Sequence, residues 1–172
     1  VIWLKGETDM LGALEEVESF GEFAKRNNAV ASTDVKSFEH LICTEQLSRR
    51  LGFKVGEELI RVVRVRSLNG NARQVDHGYF LESIAKGLTP EIAAKSIYDY
   101  LEHKRGVKVM ASRRTVSVEL ANDEDCSYLD LGKYNCVAVM ESQSYTSDGI
   151  LFEVTHARTH PEIFHYRVNS KR

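Results

Sequence analysis

Glu57 to Phe80, E-E-L-I-R-V-V-R-V-R-S-L-N-G-N-A-R-Q-V-D-H-G-Y-F, is two β-branched runs joined by Asn69-Gly70, the strongest strand-turn-strand signal in the chain. Side chains along a strand alternate, so Ile60, Val62, Arg64 and Arg66 share one face while Arg61, Val63, Val65 and Ser67 share the other. If the first face is covered, two guanidinium groups stand side by side at the wall of a pocket. Buried like charges need an anion. An Arg-x-Arg fork suits a phosphate or carboxylate, which guanidinium recognises through paired, charge-assisted hydrogen bonds. On strand pattern alone the two arginines better suit a solvated face or pairing with acids on a neighbouring strand.

The register of this hairpin decides what joins them. A plain two-residue turn pairs Leu68 with Asn71 and leaves Asp76 on the face away from Arg64 and Arg66. A three-residue loop, or a bulge supplying one extra residue, brings Asp76 directly across from Arg64. The odd register or an equivalent bulge is expected.

Working outward, Leu11 to Asn28 carries Leu14, Val17, Phe20, Phe23 and Ala24 near helical spacing, with a capping box at Ser19 and Glu22 where a new helix can start. Asp34 to Cys43 alternates as a strand, and Thr44 caps a short helix, Glu45 to Leu51, that stops at Gly52. Beyond the hairpin, Thr89-Pro90 opens a helix, and Ser96 with Asp99 marks a break and a second helix from Ile97 to about Lys104. That break would aim a hydroxyl and free N–H groups at one point. Val107 to Leu120 reads as a long strand, Asn122 caps a further helix, and Cys136 to Tyr145 with Ile150 to Thr159 forms a second hairpin, followed by a last strand from Ile163 to Val168. Strand runs with helices inserted between them indicate an α+β fold, mainly antiparallel.

Composition narrows the function. With 172 residues and 42% hydrophobic composition, the chain can bury one sizeable core. A net charge of −2 argues against direct binding to a nucleic-acid backbone or an anionic membrane surface. No apolar run is long enough for a bilayer, and the first residues lack the pattern of a signal peptide. Cys43, Cys126 and Cys136 form neither an even framework nor a close metal pair, which points to a cytoplasmic protein with reduced thiols. His156 and His160 have a tempting spacing but no third ligand, so no metal and no cofactor is expected.

Together, Ser19-Phe20-Gly21-Glu22, Leu51-Gly52 before Gly56-Glu57, Arg64-Val65-Arg66 with Asn69-Gly70, Tyr79, Ser96-Ile97-Tyr98 with Leu101, and the run from Phe152-Glu153 to Tyr166 resemble one family in order and spacing. The family is the UTRA effector-binding domain of the HutC branch of the GntR transcription regulators, and the resemblance covers nearly everything from Ser19. It implies a chorismate-lyase-like fold, a sensor rather than an enzyme, residues 1–18 as a linker from an absent winged helix-turn-helix domain, and residues 19–172 as the effector domain. Ser96 to Glu102 and Thr155 to Arg158 are most similar to the trehalose operon repressors of Gram-positive bacteria, which implies trehalose 6-phosphate as effector. By that resemblance the phosphate would meet Arg64, Arg66, Ser96, Tyr98 and the backbone amides of Ser19 and Phe20. The sugar would meet Asp76, Glu153 and Arg158. Thr159 stands where other members place an aromatic residue. The resemblance also implies a homodimer that reaches DNA only through the missing domain. The alternatives are a sensor of the same family for another phosphosugar or a carboxylate metabolite and, more remotely, a lyase-like enzyme using Asp76, Glu153 and His156 as acid–base groups.

Overall fold

In a computed structural model, which describes residues 11–12 and 19–166, an antiparallel sheet carries short helices in its connections. The elements are β1 (Leu11–Gly12), α1 (Phe20–Arg26), β2 (Ala31–Ile42), α2 (Glu45–Leu51), β3 (Glu58–Leu68), β4 (Asn71–Leu81), α3 (Pro90–Ala93), α4 (Ile97–Asp99), β5 (Val109–Leu120), α5 (Asp123–Tyr128), β6 (Cys136–Thr146), β7 (Leu151–Thr159) and β8 (His165–Tyr166). Six strands pair in the order β2-β3-β4-β7-β6-β5, antiparallel throughout, while β1 and β8 form a separate parallel pair. The α+β expectation holds. Of the helix expected over 11–28, positions 13–18, with Leu14 and Val17, lie outside the described residues. Of the last strand expected over 163–168, His165–Tyr166 is β8, Ile163 instead ends a 3₁₀ turn, Pro161–Ile163, and positions 167–168 lie outside the described residues.

Local chemistry sets the element ends. Thr44, Thr89, Ser96 and Asn122 each accept a hydrogen bond from the amide three residues on, which satisfies one of the orphan donors of a helix start. Gly52 closes α2 at φ +91°, a left-handed conformation that residues with a Cβ rarely adopt. The break at Ser96 is real, and α4 runs on into a π-helical turn, Tyr100–Lys104.

The central hairpin has both features that the register argument allowed. Asn69 and Gly70 take positive φ, 50° and 82°, as a tight two-residue turn requires, and Leu68 pairs with Asn71. Between Ser67–Ala72 and Arg66–Gln74 the ladder skips Arg73, a bulge that restores the odd count and sets Asp76 opposite Arg64. The bulged Arg73 turns outward and donates to Glu162 at 2.9 Å.

Of three apolar clusters among the described residues, a small one gathers Ala24, Leu68 and Ile163, and the two larger lie on the two faces. One gathers Ile60, Val62, Phe80 and Phe152 under α2, α3 and α4 through Leu51, Ala93, Ile97 and Leu101. The other joins Val63, Val75, Val137 and Val139 to Leu129 and Leu131 beyond α5. Deletion of a buried side chain such as Phe80 would cost on the order of 3–5 kcal/mol.

Candidate functional site

Strand parity assembles the site. Arg64 pairs with Asp76, Asp76 with Ala157, Ala157 with Met140, and Met140 with Val116, so these five positions share one face of the sheet. Moving two residues at a time along the same strands adds Arg66, Gln74, Glu153, Thr155, Thr159, Ser142, Ser112 and Arg114 to that face. The starts of α1 and α4 stand over it. Between them lies a cavity of about 150 Å³ bounded by Ser19, Phe20, Arg64, Arg66, Asp76, Ser96, Tyr98 and Glu153, among others. All of the expected site residues except Arg158 therefore come together.

The electrostatic centre is one carboxylate oxygen shared by two guanidinium groups. Asp76 Oδ2 accepts from Arg64 Nη2 at 2.5 Å and from Arg66 Nε and Nη2 at 3.1 and 2.9 Å. Asp76 and Arg64 are fully enclosed, whereas the Arg66 side chain keeps 13% of its surface open. Burial alone would push the Asp76 carboxyl up, but Arg64 and Arg66 outweigh it and hold the group below its ordinary range. For Arg66, burial followed by the like charge of Arg64 lowers the pKa to about 10, so the group stays charged at neutral pH but is under-compensated. Its guanidinium also lies over the Phe20 ring, 5.1 Å from the centroid. Two further buried donors, Arg64 Nε and Ser112 Oγ, have no hydrogen-bond partner among the described residues. Such orphaned groups cost roughly 1–3 kcal/mol each, and both belong to residues of the cavity wall.

Helix starts supply the remaining donors. Ser96 Oγ accepts from the Asp99 amide at 3.2 Å, which leaves its O–H proton to donate, and the Ile97 and Tyr98 amides lie in the first turn, where no intrahelical acceptor exists. At α1 one expectation needs correction. The Ser19 amide donates to the Glu22 carboxylate at 2.7 Å as half of a capping box, so the Phe20 and Gly21 amides are the ones left without an intrahelical acceptor. The Tyr98 hydroxyl is likewise committed, donating to Glu153 at 2.5 Å with Ser144 Oγ at 3.1 Å. Burial followed by the Glu153 charge raises the Tyr98 pKa well above its ordinary value, and burial raises that of Glu153 despite the Tyr98 and Ser144 hydrogen bonds.

Arg158 is not part of this site. It pairs with Val75 and Val139, residues of the core on the opposite face, and its guanidinium is bound there by Asp125 at 2.9 Å, by Glu119 and by the Leu120 carbonyl. Glu153 and Arg158 are five residues apart on one strand, so parity alone separates them; that signal was present in the sequence. His156, two residues from Arg158, also faces away, and among the described residues no cluster of three or more His, Cys, Asp or Glu could hold a metal. Sequence reasoning missed Gln74, Ser112, Arg114, Ser142 and Thr155. Thr155 follows from Glu153 by parity, and the others require the strand order.

An α+β domain with a covered cation pair and convergent helix starts is a ligand-binding domain by its geometry. The chain belongs to the UTRA domain family, which matches residues 26–165. It is 28% identical over 148 residues to the HTH-type transcriptional regulator TreR of Bacillus subtilis, covering 86% of this chain and 62% of TreR. It is 22% identical over 147 residues to the HTH-type transcriptional repressor NagR of the same organism, covering 86% of this chain and 60% of NagR. Among solved structures, the effector-binding domain of the B. subtilis trehalose repressor TreR superposes with a TM-score of 0.72 at 27% identity over 82% of this chain and 98% of that one. The chorismate-lyase-like fold is thereby established, and GntR-family regulators are among the neighbours. The chain spans about three fifths of the length of TreR and NagR.

Proposed function

We propose that this domain is the sensor of a GntR-type transcription repressor and that a phosphorylated sugar, best trehalose 6-phosphate, is its effector. The carrying observation is the pairing of Arg64 and Arg66 with a single Asp76 oxygen at the wall of a covered cavity. A phosphate dianion there supplies the acceptors that Arg64 Nε, the Ser96 hydroxyl and the first-turn amides of α1 and α4 lack. Asp76 and Glu153, on the same face, are the acceptors for sugar hydroxyls. The likeness to the trehalose repressor's effector domain supports trehalose as the sugar.

The domain acts by binding rather than by catalysis and works as a homodimer in the cytoplasm. Residues 1–18 lead into it from a winged helix-turn-helix domain that reads the operator, and the effector favours one dimer arrangement over another, moving those modules out of register with their half-sites. The test is thermal unfolding with trehalose 6-phosphate, other sugar phosphates and their unphosphorylated parents. A ligand that binds only the folded state raises the midpoint. Trehalose 6-phosphate is expected to give the largest rise and trehalose almost none. Equal shifts from phosphorylated and unphosphorylated sugars would overturn the reading, and turnover of the ligand during the titration would favour an enzyme.

A further inference from the structure

Two residues that line the cavity, Ser112 and Arg114 on β5, stand at its end away from the cation pair. Arg114 pairs with Ser142, and Ser142 with Thr155, so the three form one row across the floor. Met140, two residues from Ser142, bounds the row on one side, and on the other the Tyr98 ring is held over the sheet by the hydrogen bonds of its hydroxyl to Ser144 and Glu153. Ser112, paired with Ser144, closes the far end. Its hydroxyl is buried and has no hydrogen-bond partner among the described residues, a cost that a polar group brought by a ligand removes. A hydroxyl-bearing floor between an aliphatic and an aromatic margin suits a sugar ring, which is polar at its edge and covered by C–H groups on its faces.

Distance decides which ring lies there. Four strand spacings separate β3, which carries Arg64 and Arg66, from β5, and the guanidinium groups span the first of them by reaching Asp76 on β4. Roughly 14 Å then remains, at about 4.8 Å per spacing. A phosphate and one pyranose ring, each about one spacing wide, end near β6. Only a second ring reaches β5. The geometry points to Ser112 and Arg114 as the residues that hold the second, unphosphorylated ring of the effector, and so as the determinants by which this domain selects a phosphorylated disaccharide over a hexose phosphate. The phosphate end of the cavity serves both ligands, and the β5 end serves the disaccharide alone.

This rests on the phosphosugar reading above. The experiment is calorimetry of the 172-residue chain with trehalose 6-phosphate and with glucose 6-phosphate, on wild type, Ser112→Ala and Ser112→Leu. Wild type is expected to bind the disaccharide phosphate at least about tenfold more tightly. Ser112→Ala, which removes one hydroxyl, is expected to weaken trehalose 6-phosphate about three- to tenfold, and Ser112→Leu, which fills the end of the cavity, by more than about tenfold. Glucose 6-phosphate affinity is expected to stay within about twofold in both variants. Because an unpaired buried hydroxyl costs stability, the thermal midpoint of unliganded Ser112→Ala should equal or exceed that of wild type, which separates a lost contact from lost folding. Variants that bind both ligands as wild type does, or that weaken both equally, overturn the assignment and leave the phosphosugar reading standing, and so does equal wild-type affinity for the two ligands. A wild type that binds neither overturns the phosphosugar reading and the assignment with it.

Discussion

Two buried arginine–aspartate clusters sit back to back on the same sheet, and they are opposites. On the cavity face one carboxylate, Asp76, serves two guanidinium groups, and a guanidinium nitrogen is left without a partner among the described residues. On the other face one guanidinium, Arg158, is served by two carboxylates, Asp125 and Glu119, and by the Leu120 carbonyl. Both centre on a buried arginine–aspartate pair; the ratio of donors to acceptors is inverted. A saturated cluster is a staple that ties α5 to the sheet. An under-saturated one holds a positive charge in reserve, which is what the proposed phosphate site requires.

The comparison breaks first at the staple. Asp125→Ala leaves Arg158 with the half-exposed Glu119 as its one carboxylate beside the Leu120 carbonyl and removes the N3 acid of the α5 capping box, so a loss of about 3–5 kcal/mol is expected in urea unfolding. Added phosphate should not restore it, since Arg158 does not line the open pocket on that face, which Arg50, Arg113, Glu141 and His156 bound.

Asp76→Asn should cost somewhat less, on the order of 2–4 kcal/mol, because the two guanidinium groups it strands lie against a cavity that admits water and ions. Here added phosphate is expected to recover part of the loss. A thermal midpoint for Asp76→Asn that does not move with phosphate would mean that the cavity face is a staple too.

Arg66→Ala separates binding from folding. Its charge is already under-compensated, so stability should change by less than about 1 kcal/mol, whereas phosphosugar affinity should fall ten- to a hundredfold with the loss of roughly 1.5–3 kcal/mol of charge-assisted hydrogen bonds. Calorimetry with wild type and variant checks both halves.

The smallest effect concerns Glu153. Burial raises its folded pKa, so the stability linked to its protonated form is complete below the ordinary value of 4.5 and is lost as the pH rises through the raised one. Asp76 behaves oppositely. Its folded pKa is depressed, so its contribution is present above 3.8 and is lost as the pH falls through the lower folded value. Glu153→Gln, neutral at every pH, should therefore unfold at a higher urea concentration than wild type near pH 7, with the difference shrinking toward pH 4. An unchanged gap at both pH values would show that Glu153 does not titrate in this range.

Much of this contrast could be read from the chain before folding. The Asn69-Gly70 turn, the alternation that puts Arg64 and Arg66 together, and the break at Ser96 are local, because turn dihedrals, strand parity and helix caps act over two to four residues. The demand that Asp76 join the arginines even required an extra residue in the hairpin, and Arg73 supplies it. The Ser19 capping box was equally visible, yet its consequence, an amide already spent on Glu22, was not followed through.

What the sequence by itself determined is therefore the elements, their faces and the cation pair. Tertiary structure decided the rest. Ser112 and Arg114 reach the cavity only because β5 lies beyond β6 and β7 in the sheet, and Arg158 finds Asp125 only because α5 packs beneath that face. Whether an arginine becomes a site or a staple depends on how many acceptors the fold delivers to it. That number comes from strands and helices dozens of residues away, which no local pattern encodes.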